Sequence, residues 1–142
     1  MRLVKHLLEG KGKAVYAIGP ETAVLEAIRL MADKHIGALL VMNAGELIGI
    51  VSERDYARKV ILKGRSSAET AARDIMSSPV LTVAPGDSVN HCMKLMTDKR
   101  VRHLPVVEQG KVVGMLSIGD LVKAVIDDQA EQLEQLQRYI AG

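Results

Sequence analysis

The sequence of 142 residues has a formal net charge of +2, with 48% hydrophobic and 25% charged residues, which is typical of a globular chain and too apolar for a disordered one. It has no Trp, no Phe and three Tyr, and it lacks the basic tract and aromatic platforms on which nucleic-acid binding usually depends. The longest apolar runs are far shorter than a membrane span of about 20 residues, and no signal peptide is evident. We therefore expect a cytoplasmic protein that binds neither nucleic acid nor membrane.

The first predicted elements are a short strand, a helix and a hairpin. The apolar run Val15–Ile18 predicts the strand, which a Gly-Pro step ends. Thr22 offers a side-chain oxygen as the N-cap of the helix. The buried stripe of this helix, at i, i+3, i+4 and i+7, is Val24, Ala27, Ile28 and Met31. The runs Ala38–Met42 and Leu47–Val51 predict the hairpin, and Ser52 begins a closing helix.

The chain then repeats itself. Residues 18–58 align with residues 83–123 without a gap, and 12 of the 41 positions are identical in residues of very different types. Shared composition does not explain such a match, so we infer a duplication. The predicted organisation is domain 1 at residues 1–62, a linker at 63–70, domain 2 at 71–127 and a C-terminal helix extension at 128–142.

The second copy has the same elements as the first. Val80–Val83 predicts the strand, and Asp87 offers the N-cap. The helical stripe is Val89, Cys92, Met93 and Met96. Leu104–Val107 and Val112–Leu116 predict the hairpin, and Ser117 begins the closing helix. The single cysteine excludes a disulfide framework, and its place in the stripe predicts a buried thiol.

An apolar seam continues the second closing helix to the end of the chain. Its residues, at spacings of four and three, are Val122, Ile126, Gln129, Leu133, Leu136 and Ile140. This spacing is typical of a coiled coil and predicts that the helix contributes to a homodimer. The alternative is a long helix that packs back on its own module.

The segments Gly49–Asp55 and Gly114–Asp120 are the strongest candidates for a binding site. Each predicts a strand that ends at a Ser, followed by a helix that carries an Asp in its first turn. The helix N-terminus favours anions, the Ser hydroxyl can donate to a phosphate, and the Asp can accept both hydroxyls of a ribose. The alternative is a capping box that only completes the helix end. The four histidines lack metal-ligand spacing, and no catalytic set is visible.

These motifs resemble the cystathionine β-synthase (CBS) domain family, together with Asp74–Met76 before Pro79–Val83 and the run Val101–Val107. The resemblance covers residues 4 to about 126 and implies an α/β (α+β) fold of two pseudo-twofold-related βαββα units packed sheet to sheet, a Bateman module. It also implies that AMP, ADP, ATP or NAD binds in the clefts between the two domains. Neither a metal nor an enzymatic activity is implied.

The resemblance implies two binding sites, each with the Ser and Asp of one copy and the strand residues of the other. The first site consists of Val15, Tyr16, Ile36, Gly37, Ala38, Ser117 and Asp120. The second consists of Met76, Val80, Leu81, Val101, Arg102, His103, Ser52, Arg54 and Asp55. The second is expected to concentrate cationic donors, although His103 packed neutral in the hairpin and Arg54 on a solvated helix face remain alternatives.

The segment Glu9–Ala14 is three residues longer than its counterpart in the second copy, Ser77–Pro79. It predicts either a mobile surface loop or a loop that embraces a second phosphate. The function expected from all these features is that of a sensor of adenine nucleotides that signals to an unknown effector protein. The alternative is a dimerisation or scaffold module without a physiological nucleotide.

Overall fold

The computed structural model describes residues 2–12 and 14–141, and in it the chain forms two compact units of mixed α/β structure. The continuous unit is Val15–Leu81, and the split unit joins Met1–Ala14 to Thr82–Gly142. The mixed α/β fold with two small sheets and a C-terminal helix is confirmed. The predicted domain boundaries follow the sequence repeat, whereas the compact units cut across it.

The helices and strands, in chain order, are α1 (Val4–Lys11), β1 (Ala17–Ile18), α2 (Val24–Lys34), β2 (Ala38–Asn43), β3 (Glu46–Ser52), α3 (Glu53–Tyr56), α4 (Val89–Lys99), β4 (His103–Glu108), β5 (Lys111–Ser117) and α5 (Ile118–Ala141). A π-helical segment, Ala57–Ile61, continues α3, and Ala72–Asp74 forms a 3-10 turn. Both predicted hairpins and both stripe helices are therefore confirmed.

The continuous unit contains a sheet of order β1-β2-β3, in which β1 is parallel and β3 antiparallel to β2. The β2–β3 turn needs two successive positive φ angles, 50° at Ala44 and 82° at Gly45, and glycine meets that need at the second position. The buried core of this unit is Val24, Ala27, Met31, Leu39, Val41, Val51, Val60, Ala72 and Ile75.

The split unit contains the antiparallel pair β4–β5. The strand predicted at Val80–Val83 is wrong, because only Val83 forms a parallel bridge, with Val106. The buried apolar residues of this unit are Val4, Leu8, Val83, Val89, Cys92, Met96, Leu104, Val106, Leu116, Leu121 and Ala124.

Each unit includes a short segment that precedes the other repeat in sequence. Backbone hydrogen bonds attach these segments in the same way: Val4 N donates to Asp87 O at 2.9 Å in the split unit, and Ala72 N donates to Thr22 O at 2.8 Å in the continuous unit. The compact units are therefore related as the repeats are, but with their leading segments exchanged.

Two glycines show how tightly these segments pack. A Cβ at Gly114 would lie 2.6 Å from Leu8 Cδ2, and a Cβ at Gly49 would overlap the Met76 side chain. Only glycine lets the leading segment cross the strand this closely. The glycine of each motif thus has a packing role.

Two local predictions need correction. The N-caps are Ala23 for α2 and Ser88 for α4, not Thr22 and Asp87. Thr22 Oγ1 and Asp87 Oδ2 instead accept backbone N–H groups of the preceding turns, from Gly19 at 3.2 Å and from Ala84 at 2.8 Å. Threonine and aspartate stabilise such turns as readily as helix starts, so the spacing misplaced each cap by one residue.

The segment predicted as the loop Glu9–Ala14 begins inside a helix. Glu9, Gly10 and Lys11 form the last turn of α1, because the Gly12 N–H closes that turn on Leu8 O at 2.8 Å. Lys13 lies outside the described residues. The lysine side chain at position 11 therefore projects from a helix end.

Candidate functional site

The Ser52–Asp55 motif lies where β3 ends and α3 begins in the continuous unit. Asp55 Oδ2 accepts the Ser52 backbone N–H at 2.9 Å and the Ser52 hydroxyl at 3.0 Å, while Asp55 N donates to Ser52 Oγ at 3.1 Å. The other oxygen, Oδ1, lies 3.1 Å from Lys59 Nζ and 3.5 Å from Ser77 Oγ. This is a capping box with one carboxylate oxygen directed at a lysine and a hydroxyl.

The Ser117–Asp120 motif of the split unit repeats this geometry. Asp120 Oδ2 accepts the Ser117 backbone N–H at 2.7 Å, and Asp120 N donates to Ser117 Oγ at 3.2 Å. Lys11, at the end of α1, donates to the same Asp120 oxygen at 2.6 Å and to the Met115 carbonyl at 2.6 Å. Both motifs therefore form the capping box that the sequence left as an alternative, and each carboxylate faces a lysine.

The start of the neighbouring strand lies beside each motif in the same unit. Ala38 pairs with Ser52 across β2–β3, and His103 pairs with Ser117 across β4–β5. The residue before each strand also caps the helix, because Gly37 O accepts from Glu53 N at 3.1 Å. Within each unit the structure thus places the start of one strand beside the motif that ends its neighbour.

Side chains of opposite charge lie close together around the split-unit motif and shift each other's pKa values. Burial alone would raise the pKa of Asp120, but hydrogen bonds from Lys11 and Ser117 outweigh it and hold that pKa below its usual value. Burial lowers the pKa of His103, the Lys11 and Arg102 charges lower it further, and Asp120 opposes them. His103 is half-buried and favours its neutral form, as one alternative predicted.

Predicted site residues are divided between the units. The continuous unit holds Val15, Tyr16, Ile36, Gly37, Ala38, Met76, Val80, Leu81, Ser52, Arg54 and Asp55, and the split unit holds Val101, Arg102, His103, Ser117 and Asp120. Each predicted set draws on both units, so the two complete sites stay a prediction. Within the continuous unit, the Met76 side chain lies against Gly49 of β3, the strand that ends at Ser52.

Sequence reasoning did not place three polar side chains at the motifs, namely Lys11, Lys59 and Ser77, although it considered the segment that contains Lys11 as a phosphate-binding loop. A signal for Lys11 existed, because Val4, Leu8 and Lys11 are spaced by four and three residues and share one helix face. Lys59 follows Asp55 at i+4, the spacing of a helical ion pair, and it also donates to Ile75 O at 2.9 Å. Ser77 had no local signal, since its position depends on the exchanged segment.

No group of three or more His, Cys, Asp or Glu side chains in the described part of the chain is arranged to hold a metal ion. Cys92 is buried as expected, and burial with a contribution from Asp87 raises its pKa to about 11, so the thiol is protonated at neutral pH. Among the described residues, no helix is long and apolar enough to cross a membrane.

Comparison with known proteins identifies the same repeats. The CBS domain family matches residues 12–62 and 72–127. A CBS domain-containing protein of Arabidopsis thaliana, CBSX3, mitochondrial, is 40% identical over 98% of this chain and 72% of its own length. The structure of a CBS-domain protein from Burkholderia ambifaria MC40-6 is 49% identical, with a TM-score of 0.87 over 90% of this chain and 96% of that one.

One more distant structure shares the fold. The CBS domain pair of protein MJ0100, solved in complex with 5-methylthioadenosine and S-adenosyl-L-methionine, is 23% identical with a TM-score of 0.80 over 90% of this chain and 98% of that one. At this identity the likeness concerns the arrangement of helices and strands.

Proposed function

Because the chain belongs to the CBS domain family, we propose that it is a non-catalytic regulatory module that binds an adenine nucleotide, namely AMP, ADP, ATP or NAD. The observation that carries the proposal is one geometry built twice. In each unit a Ser and an Asp are fixed at a helix start, with a lysine ammonium against the carboxylate. These are the groups that ribose hydroxyls and phosphate oxygens bind.

In the split-unit motif, the two carboxylate oxygens of Asp120 would have different roles in binding. The hydrogen bonds from the Ser117 backbone N–H and from Lys11 both end on Asp120 Oδ2, which anchors the side chain to the helix start and to Lys11. Its Oδ1 would accept a ribose hydroxyl. Lys11 would turn from Asp120 toward a phosphate oxygen of the ligand. The phosphate would then balance the ammonium charge that the Asp120 carboxylate balances in the free protein.

In the continuous unit the corresponding exchange involves a weaker contact. The Ser77 hydroxyl lies 3.5 Å from Asp55 Oδ1, at the limit of a hydrogen bond. A ribose hydroxyl at 2.7–2.8 Å is the stronger donor and would displace it, as O–H···O bonds of roughly that length are the most common. Lys59 would then serve the phosphate as Lys11 does in the split unit.

The strand-side residues of the predicted sites would hold the adenine base, and the signal would pass through differential binding. A nucleotide can shift the protein between two conformations only by as much as it prefers one of them. We propose that an effector protein senses this shift and that the module transmits nucleotide levels without catalysis.

Titration calorimetry of the full chain with AMP, ATP and NAD tests the proposal. Asp120→Asn keeps an acceptor for the Ser117 N–H but removes the charge, and we expect it to weaken binding at its site by about tenfold or more. Asp87→Asn is the matched control, since Asp87 also accepts one backbone N–H in the same unit but lies outside the motif. Absence of saturable binding, or equal loss in both variants, would refute the proposal.

A dimerisation or scaffold module is the second candidate. It is favoured because the capping boxes explain both Asp side chains as helix caps and because α5 carries an exposed apolar stripe, the surface that an assembling protein needs. A chain that assembles normally but binds none of the three nucleotides would establish this candidate over the first.

A further inference from the structure

His103 lies beside the Ser117–Asp120 motif of the split unit, in a place that backbone contacts fix. It begins β4 opposite Ser117 at the end of β5. The carbonyl of Arg102, the residue before it, accepts the Ile118 N–H at the start of α5 at 2.9 Å. The His103 side chain is partly exposed, so it can exchange a proton with solvent. One titratable ring thus lies next to the motif at the start of α5.

Two cations and one anion act on the His103 ring. Burial disfavours the imidazolium most, the charges of Lys11 and Arg102 disfavour it further, and the charge of Asp120 favours it. These groups come from three parts of the split unit, because Lys11 ends α1, Asp120 lies in the first turn of α5 and Arg102 precedes β4. Lys11 and Asp120 also contact each other at 2.6 Å. In the free protein the surroundings of His103 therefore carry an excess of positive charge.

A phosphate at this motif would reverse that excess. In the proposed function, on which this inference rests, Lys11 turns from Asp120 toward a phosphate oxygen. A phosphate monoester carries a charge of about −1.5 to −2 at pH 7. Together with Asp120 it outweighs the two cations, and the imidazolium becomes the favoured form of His103. We propose that a nucleotide phosphate bound at the Asp120 motif brings a proton onto His103, so that this site binds its ligand more tightly as pH falls.

The sign of the pH dependence follows from linkage between the proton and the ligand. Free His103 has a lowered pKa, and the bound phosphate raises that pKa. The complex therefore holds more protons than the free protein in the pH range between the two values. Affinity rises as pH falls through this range and is constant below it. A difference of one between the two pKa values corresponds to an about tenfold change in the dissociation constant.

The corresponding position in the continuous unit carries no titratable side chain. Ala38 lies opposite Ser52 there, as His103 lies opposite Ser117 in the split unit. The residue before Ala38 is Gly37, which has no side-chain charge and whose carbonyl accepts the Glu53 N–H at 3.1 Å. The same backbone arrangement thus occurs twice, but only the split unit has an imidazole in it. The proton coupling belongs to one motif and not to the other.

NMR titration of the histidine ring protons in the full chain, from pH 5 to pH 8, tests the charge coupling without a nucleotide. His103→Gln identifies the His103 signal by its loss. Lys11→Met should raise the pKa of His103 by about 0.5 or more, because it removes one cation and leaves Asp120 without its lysine. Lys5→Met is the matched control, since Lys5 is exposed on the same helix, and should leave that pKa unchanged. A pKa that Lys11→Met does not move, or that both variants move equally, would overturn the proposal.

The same titration of the unmodified protein with saturating ATP tests the coupling to phosphate. The pKa of His103 should rise by about one or more, whereas adenosine, which lacks a phosphate, should leave it at its value in the free protein. If ATP shifts other resonances of the protein but not the pKa of His103, or if adenosine raises that pKa equally, this inference is wrong and the proposed function stands. If neither ATP, AMP nor NAD shifts any resonance, the proposed function fails and this inference fails with it.

Discussion

Replacing Lys11 by Met tests whether the exchanged N-terminal helix holds the Asp120 motif in place. The change keeps an unbranched apolar stem but removes the ammonium, and with it the 2.6 Å contacts to Asp120 Oδ2 and Met115 O. The Lys11 side chain is 36% exposed and that of Asp120 24%, so solvent screens the pair. Discounted in this way, a charge-assisted hydrogen bond leaves a loss of about 1 kcal/mol in the free energy of unfolding at pH 7.

The loss should depend on pH because the pKa of Asp120 is lowered in the folded protein. A carboxylate with a depressed pKa stabilises the fold at pH values above its ordinary pKa, and that contribution disappears as pH falls through the folded pKa. The difference between Lys11→Met and the unmodified protein should therefore be full at pH 7 and shrink in acid. Once Asp120 is protonated, only the hydrogen bond from Lys11 to the Met115 carbonyl would continue to stabilise the fold.

Urea denaturation of both proteins at pH 7 and at pH 3 measures the two differences, at low and at high salt. Lys5→Met is the matched control, since Lys5 is exposed on the same helix, and it should leave the free energy of unfolding almost unchanged. A loss that is equal at both pH values, or a loss in the control as large as at Lys11, would refute the reasoning.

Three further outcomes follow from packing, backbone geometry and burial. Gly114→Ala should destabilise the protein by roughly 1–3 kcal/mol in urea denaturation, because the added methyl group overlaps Leu8. In a chain that also carries Leu8→Ala, the glycine change should be nearly neutral. Additive losses would contradict the close contact between Gly114 and Leu8. His35→Gly should stabilise the protein by about 0.5–1 kcal/mol and so raise its thermal unfolding midpoint, because His35 ends α2 at a φ of 55°, where glycine is less strained. An unchanged midpoint would contradict that backbone conformation. The Cys92 thiol should react with a thiol reagent at pH 8 far more slowly in the native protein than in urea, and equal rates would contradict its burial.

The elements that the sequence predicted well are those whose signals are local and occur twice. Both hairpins combine two short apolar runs with a turn that contains Gly45 or Gly110, and runs joined by so short a turn have few alternatives to pairing with each other. The capping boxes were also foreseen as one interpretation of the Ser and Asp spacing. The repeat helped in each case, because two copies had to satisfy the same pattern.

Tertiary features were beyond such reasoning. The exchange of leading segments depends on which sheet Leu8 and Met76 cross, and no local pattern specifies that choice. The strand predicted at Val80–Val83 is reduced to a single bridge at Val83. Whether a segment at the edge of a sheet pairs along its length depends on the one strand beside it, which the segment's own sequence does not specify. Lys11 was assigned to a loop because the glycines at positions 10 and 12 disfavour a helix, whereas in the structure position 11 is the last residue of α1.

Native mass spectrometry of the full chain, as purified and after addition of ATP, tests the central claim most directly because it counts bound molecules. The account predicts peaks that carry one or two adenine nucleotides per chain, which the Asp55→Asn and Asp120→Asn variants each reduce. Spectra that show only the bare protein at millimolar ATP, with AMP and NAD equally without effect, would contradict it.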